Sequence, residues 1–198
     1  MPIIDQVKTI ARKLVETRPS PDDLRARPRR RKPITRTFRD DGTIPNHPHW
    51  PLVIYRAPLV LEPAEADPAA ALDTLFSHNG WGRSWRNGIY DFTHYHSQVH
   101  EVLGVASGSA EVEFGGPRGR VFGLKPGDVA VLPAGTGHRL VEASDDFLVV
   151  GAYPGKGKYD EVTDSRQRLP SRERIAACPP PDTDPVYGEA AGICLLWD

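Results

Sequence analysis

Between Trp81 and Tyr153 the apolar residues of this chain recur with period two, and glycine or proline interrupts them about every 8 to 12 residues. Successive strand side chains face opposite ways, so this alternation suits strands with one buried face and does not suit a helix. It is visible in Tyr90, Phe92, His94 and His96, in Ala110, Val112 and Phe114, and again in Phe147, Val149 and Gly151. The whole chain carries 20 prolines and 18 glycines in 198 residues, a supply of turn formers that favours short strands over long helices. Gly115-Gly116 reads as a hairpin turn, KPGD at Lys125 to Asp128 as a β-turn, and PAGTG at Pro133 to Gly137 as a sharp loop delivering His138. The expected class is all-β, a sandwich or barrel.

The flanks read differently. Apolar residues from Ile3 to Val15 fall at helical spacing, so Pro2 to Thr17 is expected to form an amphipathic helix, followed by a Pro/Arg-rich linker over Arg18 to Pro33. DDGTIPNHPHWP, from Asp40 to Pro51, is a turn-rich loop with His47 and His49. Leu52 to Tyr55 and Leu59 to Leu61 look like short strands interrupted by Pro58. Asp67 to Ser77 reads as a helix capped by Asp67 with Pro68 at its first position. The tail from Gly155 is charged and proline-rich and should wrap the surface, with ICLLW adding a terminal strand. This organisation gives a basic helical extension over residues 1–39, a β domain with its preceding strands and helix over 40–154, and a C-terminal extension over 155–198.

Charge narrows the range of partners. Met1 to Asp40 holds 12 Lys/Arg against 5 Asp/Glu, whereas the chain as a whole has a formal net charge of −1. The run RARPRRRKP, from Arg25 to Pro33, is short, broken by proline and free of interleaved aromatics, which argues against a nucleic-acid site and for a solvated arm or a clamp on a neighbouring subunit. No apolar run approaches bilayer-spanning length, and the first residues have no uninterrupted apolar region of a secretory signal. A cytoplasmic protein with Cys178 and Cys194 as free thiols is therefore expected.

The chemistry concentrates in two stretches. Side chains two apart on a strand share a face, so His94 and His96 can reach one ion. GIYDFTHYHSQVHEVLGVASG, from Gly88 to Gly108, resembles the first motif of the cupin superfamily, G-x5-H-x-H-x4-E-x6-G, and GDVAVLPAGTGH, from Gly127 to His138, resembles its second, G-x5-P-x-G-x2-H. The phrases GWGRSWRNGIYDFTHYHSQVHEVLGV, VVGAYP and DPVYG further resemble the YjlB-like branch of single-domain cupins, over roughly Phe38 to Trp197. The resemblance implies a double-stranded β-helix, the jelly-roll barrel, with a few peripheral helices. It also implies a metal site built from His94, His96, Glu101 and His138. Strict alternation would instead put His100 on the metal face and Glu101 opposite, so assigning Glu101 requires a bulge or turn in SQVH. Three imidazoles and a carboxylate suit one divalent transition metal, whether Fe, Mn, Ni, Cu, Co or Zn, better than Ca or Mg.

Around that site, Tyr90 and Phe92 would give the cavity an apolar wall, or else pack in the core. Glu142 and Tyr153 are the catalytic candidates: Glu142 lies four residues after His138, where the cupin motif carries Asn, and Tyr153 could supply a hydroxyl. Arg83, Arg86 and Arg139 are candidates for pairing with a substrate carboxylate, and Trp50, Trp81 and Trp85 read as core residues. Two functions are compatible with this pattern. One is a metal-dependent enzyme acting on a small organic molecule, as a dioxygenase-like oxidoreductase, an isomerase or a hydrolase. The other is a non-catalytic metal- or metabolite-binding module. A homodimer pairing through strand edges is expected in either case.

Overall fold

The computed structural model describes residues 29–59 and 67–197. Among the described residues nine strands form: β1 (Ile34–Arg36), β2 (Leu52–Tyr55), β3 (Trp81–Asn87), β4 (Glu101–Ser107), β5 (Ala110–Phe114), β6 (Arg120–Leu124), β7 (Val129–Leu132), β8 (His138–Ala143) and β9 (Leu148–Pro154). They pair into a six-stranded sheet in the order β1-β2-β7-β4-β9-β3 and a three-stranded sheet in the order β6-β5-β8. Every pairing is antiparallel.

The larger sheet is covered on both faces, which explains why LVIY in β2 and VAVL in β7 are unbroken apolar runs. On one face Ile54, Leu103, Ala130 and Val149 meet Val112, Phe114 and Leu124 of the smaller sheet. On the other, Val53, Val102, Val131 and Val150 pack beneath helix α1 (Pro68–His78) and the C-terminal residues Val186, Ile193 and Trp197. Asp67 caps α1 by accepting from the Ala69 amide at 3.0 Å, with Pro68 in the first turn. A 3-10 turn (Ser165–Gln167), helix α2 (Arg168–Ala177) and a short helix α3 (Ile193–Leu196) complete the fold.

The jelly-roll barrel expected from the motifs is not formed: neither sheet closes on itself. A closed barrel needs an unbroken ladder around its circumference. Here Tyr90–His96, expected to alternate along a strand, form no continuous ladder: residues 88–100 are largely irregular and join β8 and the tail through the isolated bridges His94–His138 and Tyr95–Val162 and through single hydrogen bonds such as the Leu140 amide to the Tyr90 carbonyl at 2.8 Å. ICLLW also departs from expectation, because its first four residues form α3 and not a strand. The helix expected over Pro2–Thr17, the first four residues of the Arg25–Pro33 run, and Val60–Leu61 lie outside the described residues. Cys178 and Cys194 are both free. Among the described residues no helix is long and apolar enough to cross a membrane.

Candidate metal centre

The two sheets meet near His94, His96, Glu101 and His138, all four buried. Glu101 opens β4 and His138 opens β8, whereas His94 and His96 sit on the bent segment between β3 and β4. His94 and His138 exchange backbone hydrogen bonds of 3.2 and 2.9 Å, which brings the two motifs together. The loop before His138 is pinned by the Gly135 amide donating to the His96 carbonyl at 2.7 Å. Gly135 has φ of 89°, and a Cβ there would come within 2.5 Å of Ile175, so only glycine fits this turn.

Which of Glu101 and His100 faces the cavity follows from where β4 begins. Alternation does not run through from His96, because Ser97 and Gln98 form a bend held by Asp160: its carboxylate accepts from the Ser97 amide at 2.8 Å and the Gln98 amide at 3.0 Å. The phase restarts at Glu101, which shares the inward face with Leu103 and Val105. His100 points to the opposite side, its ring 5.0 Å from Trp197 and 5.5 Å from Trp50. There it accepts from the Ala134 amide at 2.9 Å through Nδ1 and turns Nε2 to the Pro179 carbonyl at 3.1 Å.

Each of the three cavity histidines turns Nδ1 to a backbone carbonyl: His94 to Phe92 at 3.2 Å, His138 to Thr136 at 3.2 Å, and His96 to Asp160. A carbonyl only accepts, so Nδ1 carries a hydrogen and Nε2 is the nitrogen turned to the centre, the outer-shell arrangement typical of metal-ligating histidines. Nε2 of His96 lies 3.4 Å from Glu101 Oε1, and Nε2 of His138 lies 3.3 Å from Oε2. Ligand atoms of His94, His96 and His138 all lie within 4.8 Å of one another, a triad positioned to coordinate a single divalent ion. His96 Nε2 and Glu101 Oε2 are buried without a hydrogen-bond partner among the described residues, and a cation would satisfy both. The donor set therefore fits a transition metal.

Burial and the neighbouring His138 push His94 down to about 3, so it is a neutral donor. Burial also works against charge on His96 and Glu101, but their mutual attraction prevails. His96 is held above the ordinary histidine range and Glu101, with His138 also beside it, well below the ordinary carboxylate range. Without a cation the Glu101 carboxylate is thus paired with a charged His96, and a metal bound by His96 Nε2 would release that proton.

A cavity of about 280 Å³ opens onto these groups, walled by Trp85, Ile89, Tyr90, Tyr153 and Tyr159 with Glu161 also in its lining. Tyr153 is buried and accepts from Trp85 Nε1 at 2.9 Å; burial and the Glu101 charge raise its pKa, so it stays a phenol. Trp85 lies flat against Gly151, where a Cβ would come within 2.1 Å of the indole.

Other candidates fall elsewhere. Glu142 is exposed, because a register shift between β5 and β8 pairs Val112 with Leu140 but Glu111 with Glu142 and turns Glu142 away from the cavity. Phe92 is 44% exposed and stacks on Tyr90, itself 50% exposed; Tyr90 lines the cavity from its outer side and Phe92 lies outside the lining. Arg139 is locked to Glu113 at 3.0 and 3.1 Å, and Arg83 donates to the Pro154 carbonyl at 2.9 Å. Arg86 lines the cavity but is held by Asp73 and Asp67. Trp81 is a core residue, Trp50 stacks on Trp197 at 5.6 Å, and Trp85 is a cavity wall. Tyr159, Asp160 and Glu161 were not anticipated; they lie in the tail, where no periodicity marks them.

A two-sheet domain with a buried histidine triad open to a small cavity defines a metal-binding β protein. Comparison with known proteins narrows this. The family described as the cupin domain matches residues 87–150. The uncharacterized protein YjlB of Bacillus subtilis (strain 168) is 38% identical over 168 residues, covering 84% of this chain and 98% of that protein. Among solved structures, an oxalate decarboxylase is 26% identical with a TM-score of 0.33, over 40% of this chain and 22% of its own. The TDP-fucose-3,4-ketoisomerase WlaRA of Campylobacter jejuni is 16% identical with a TM-score of 0.37, over 48% of this chain and 77% of its own. The chain thus spans about a fifth of the decarboxylase but nearly all of YjlB. It belongs to the cupin superfamily, in the YjlB-like branch.

Proposed function

We propose that this cupin is a metal-dependent enzyme acting on a small organic molecule, with His94, His96, Glu101 and His138 as the ligands of one divalent transition metal. The observation that carries the reading is the pair of buried, unpartnered atoms, His96 Nε2 and Glu101 Oε2, at the base of a cavity large enough for a small ligand. Bound there, the ion would supply Lewis-acid activation of a water or a substrate oxygen. The chain's own groups do the rest. Carbonyls of Phe92, Thr136 and Asp160 hold the three imidazoles in one tautomer. Tyr153 keeps its proton on Oη beside the Glu101 carboxylate, where it can donate to a bound oxygen. The aromatic walls limit water around the reacting group. Oxygen-dependent oxidation of a small acid or enol, and isomerisation, are the reaction classes this arrangement serves.

The test loads the full chain anaerobically with Fe(II), measures metal per chain, and follows oxygen uptake and product formation over a panel of small enols and hydroxy acids. Stoichiometric metal with turnover is expected, both abolished in His138→Ala. A wild-type protein that takes up no stoichiometric metal refutes the site. Saturable binding without turnover across the panel makes the protein a binding module instead.

A further inference from the structure

We infer that the cavity is built for a small, planar molecule that chelates through two oxygens carrying no more than one negative charge, such as an enol, a hydroxyketone or a catechol, and that it rejects dianions such as dicarboxylates and phosphate esters. The inference rests on the metal reading above and concerns the cavity outside the four ligands.

Charge carries the argument. The cation in the wall is Arg86, and it is already committed: Nε donates to Asp73 at 2.8 Å, Nη2 reaches the same carboxylate at 2.5 Å, and Nη1 reaches Asp67 at 3.1 Å. Arg83 sits over the Tyr153 ring, 5.7 Å from its centroid, and does not line the cavity. The other charged lining residue apart from Glu101 is Glu161, which accepts from the Tyr159 hydroxyl at 3.2 Å. A ligand with one anionic oxygen would place it at the ion. A second anionic group would find no free cation among the described lining residues and would face the Glu161 carboxylate. What the wall does offer is aromatic surface and neutral donors. Tyr90 and Tyr159, 50% and 47% exposed, stand at the mouth, and Tyr153 and Tyr159 contact edge to face at 5.3 Å. Aromatic rings around a space of about 280 Å³ favour an unsaturated body of single-ring size, which can present a face to one ring and an edge to the next.

The test uses the full chain loaded with Co(II), whose visible absorption reports ligation and whose uptake is read first in the same titration. Two redox-inert chelators are then compared: maltol, a planar hydroxyketone that binds as a monoanion, and malonate, a dianion. Each affinity is expressed relative to that chelator's affinity for aqueous Co(II). Maltol is expected to be favoured by at least about tenfold on this scale. Glu161→Gln should narrow the gap by strengthening malonate, and Tyr159→Ala should weaken maltol alone. Malonate binding as well as or better than maltol, or a Glu161→Gln protein with an unchanged ratio, overturns the inference while leaving the metal site intact. Absence of Co(II) bands before any chelator is added overturns the metal reading and the inference together.

Discussion

Asp160 illustrates how far one residue of the C-terminal tail reaches into the metal centre. Its carboxylate holds the bend at Ser97 and Gln98, accepting from the Ser97 hydroxyl at 2.5 Å as well as from both amides, while its own carbonyl orients His96. Removing the side chain frees the bend that directs both His96 and Glu101. Asp160→Ala should therefore weaken metal binding by about 10- to 100-fold, as loss of outer-shell partners does elsewhere, with partial recovery in Asp160→Asn, which keeps an acceptor oxygen. Competition against a chelator of known affinity measures it. The neighbours Glu101 and His100 should separate cleanly. Glu101→Gln removes the one buried negative charge of the centre and should abolish stoichiometric metal. His100→Ala leaves the Ala134 amide without its acceptor, at a cost of about 1–3 kcal/mol, yet should still bind metal at saturation. Metal analysis and thermal melts of the two variants distinguish these roles, and metal loss confined to His100→Ala would reverse the assignment.

At the level of elements, local rules explain what lies on the strands and helices, and interruptions explain the site. Helix α1 obeys its capping signal. Asp67→Ala should cost about 1 kcal/mol through the lost cap, with some further loss from the exposed Arg86 contact, read as a shift in the denaturation midpoint at constant slope. Strand β4 alternates between the two cores from Glu101 to Val105, before its register against β9 shifts between Val105 and Ser107, and β5 alternates from Ala110 to Phe114. The departures come where a strand restarts or slips by one residue: the bend before β4 turns Glu101 inward, and the shift between β5 and β8 turns Glu142 outward. Because the side-chain period is two, a slip of one residue exchanges inside for outside. Neither interruption leaves a mark in the hydrophobic pattern, since each depends on a partner distant in the chain.

For the molecule as a whole, acidity is the sharpest lever on stability. His47 stacks on Trp50 at 4.3 Å and accepts from the Trp50 amide at 2.8 Å through Nδ1, so the fold requires it neutral. Burial, with His100 nearby, pushes it down to about 3, and burial pushes His100 down to about 4. Both histidines take up protons near 6.5 in the unfolded chain. Between that value and 3 to 4 the unfolded state binds more protons, so stability rises with pH in this window. The melting temperature of metal-free protein should fall as pH drops from about 6.5 towards 4, and His47→Gln, which cannot charge, should flatten that slope. A melting temperature that holds steady across that range would contradict the assignment.

Periodicity, turn residues and two spaced motifs were enough to read the strands of the central region, the capped helix, the cupin family and the histidines that converge. These are properties of short stretches, set by side-chain geometry within a few residues. Whether the sheets close, which of two adjacent residues turns into the cavity, and that Tyr159, Asp160 and Glu161 complete it were matters for long-range packing. The bent segment at residues 88–100 is held by hydrogen bonds to β8 and the tail, and that contact makes the site while leaving the sheets open. Such bonds join residues 40 to 70 positions apart, a distance over which no local pattern carries information.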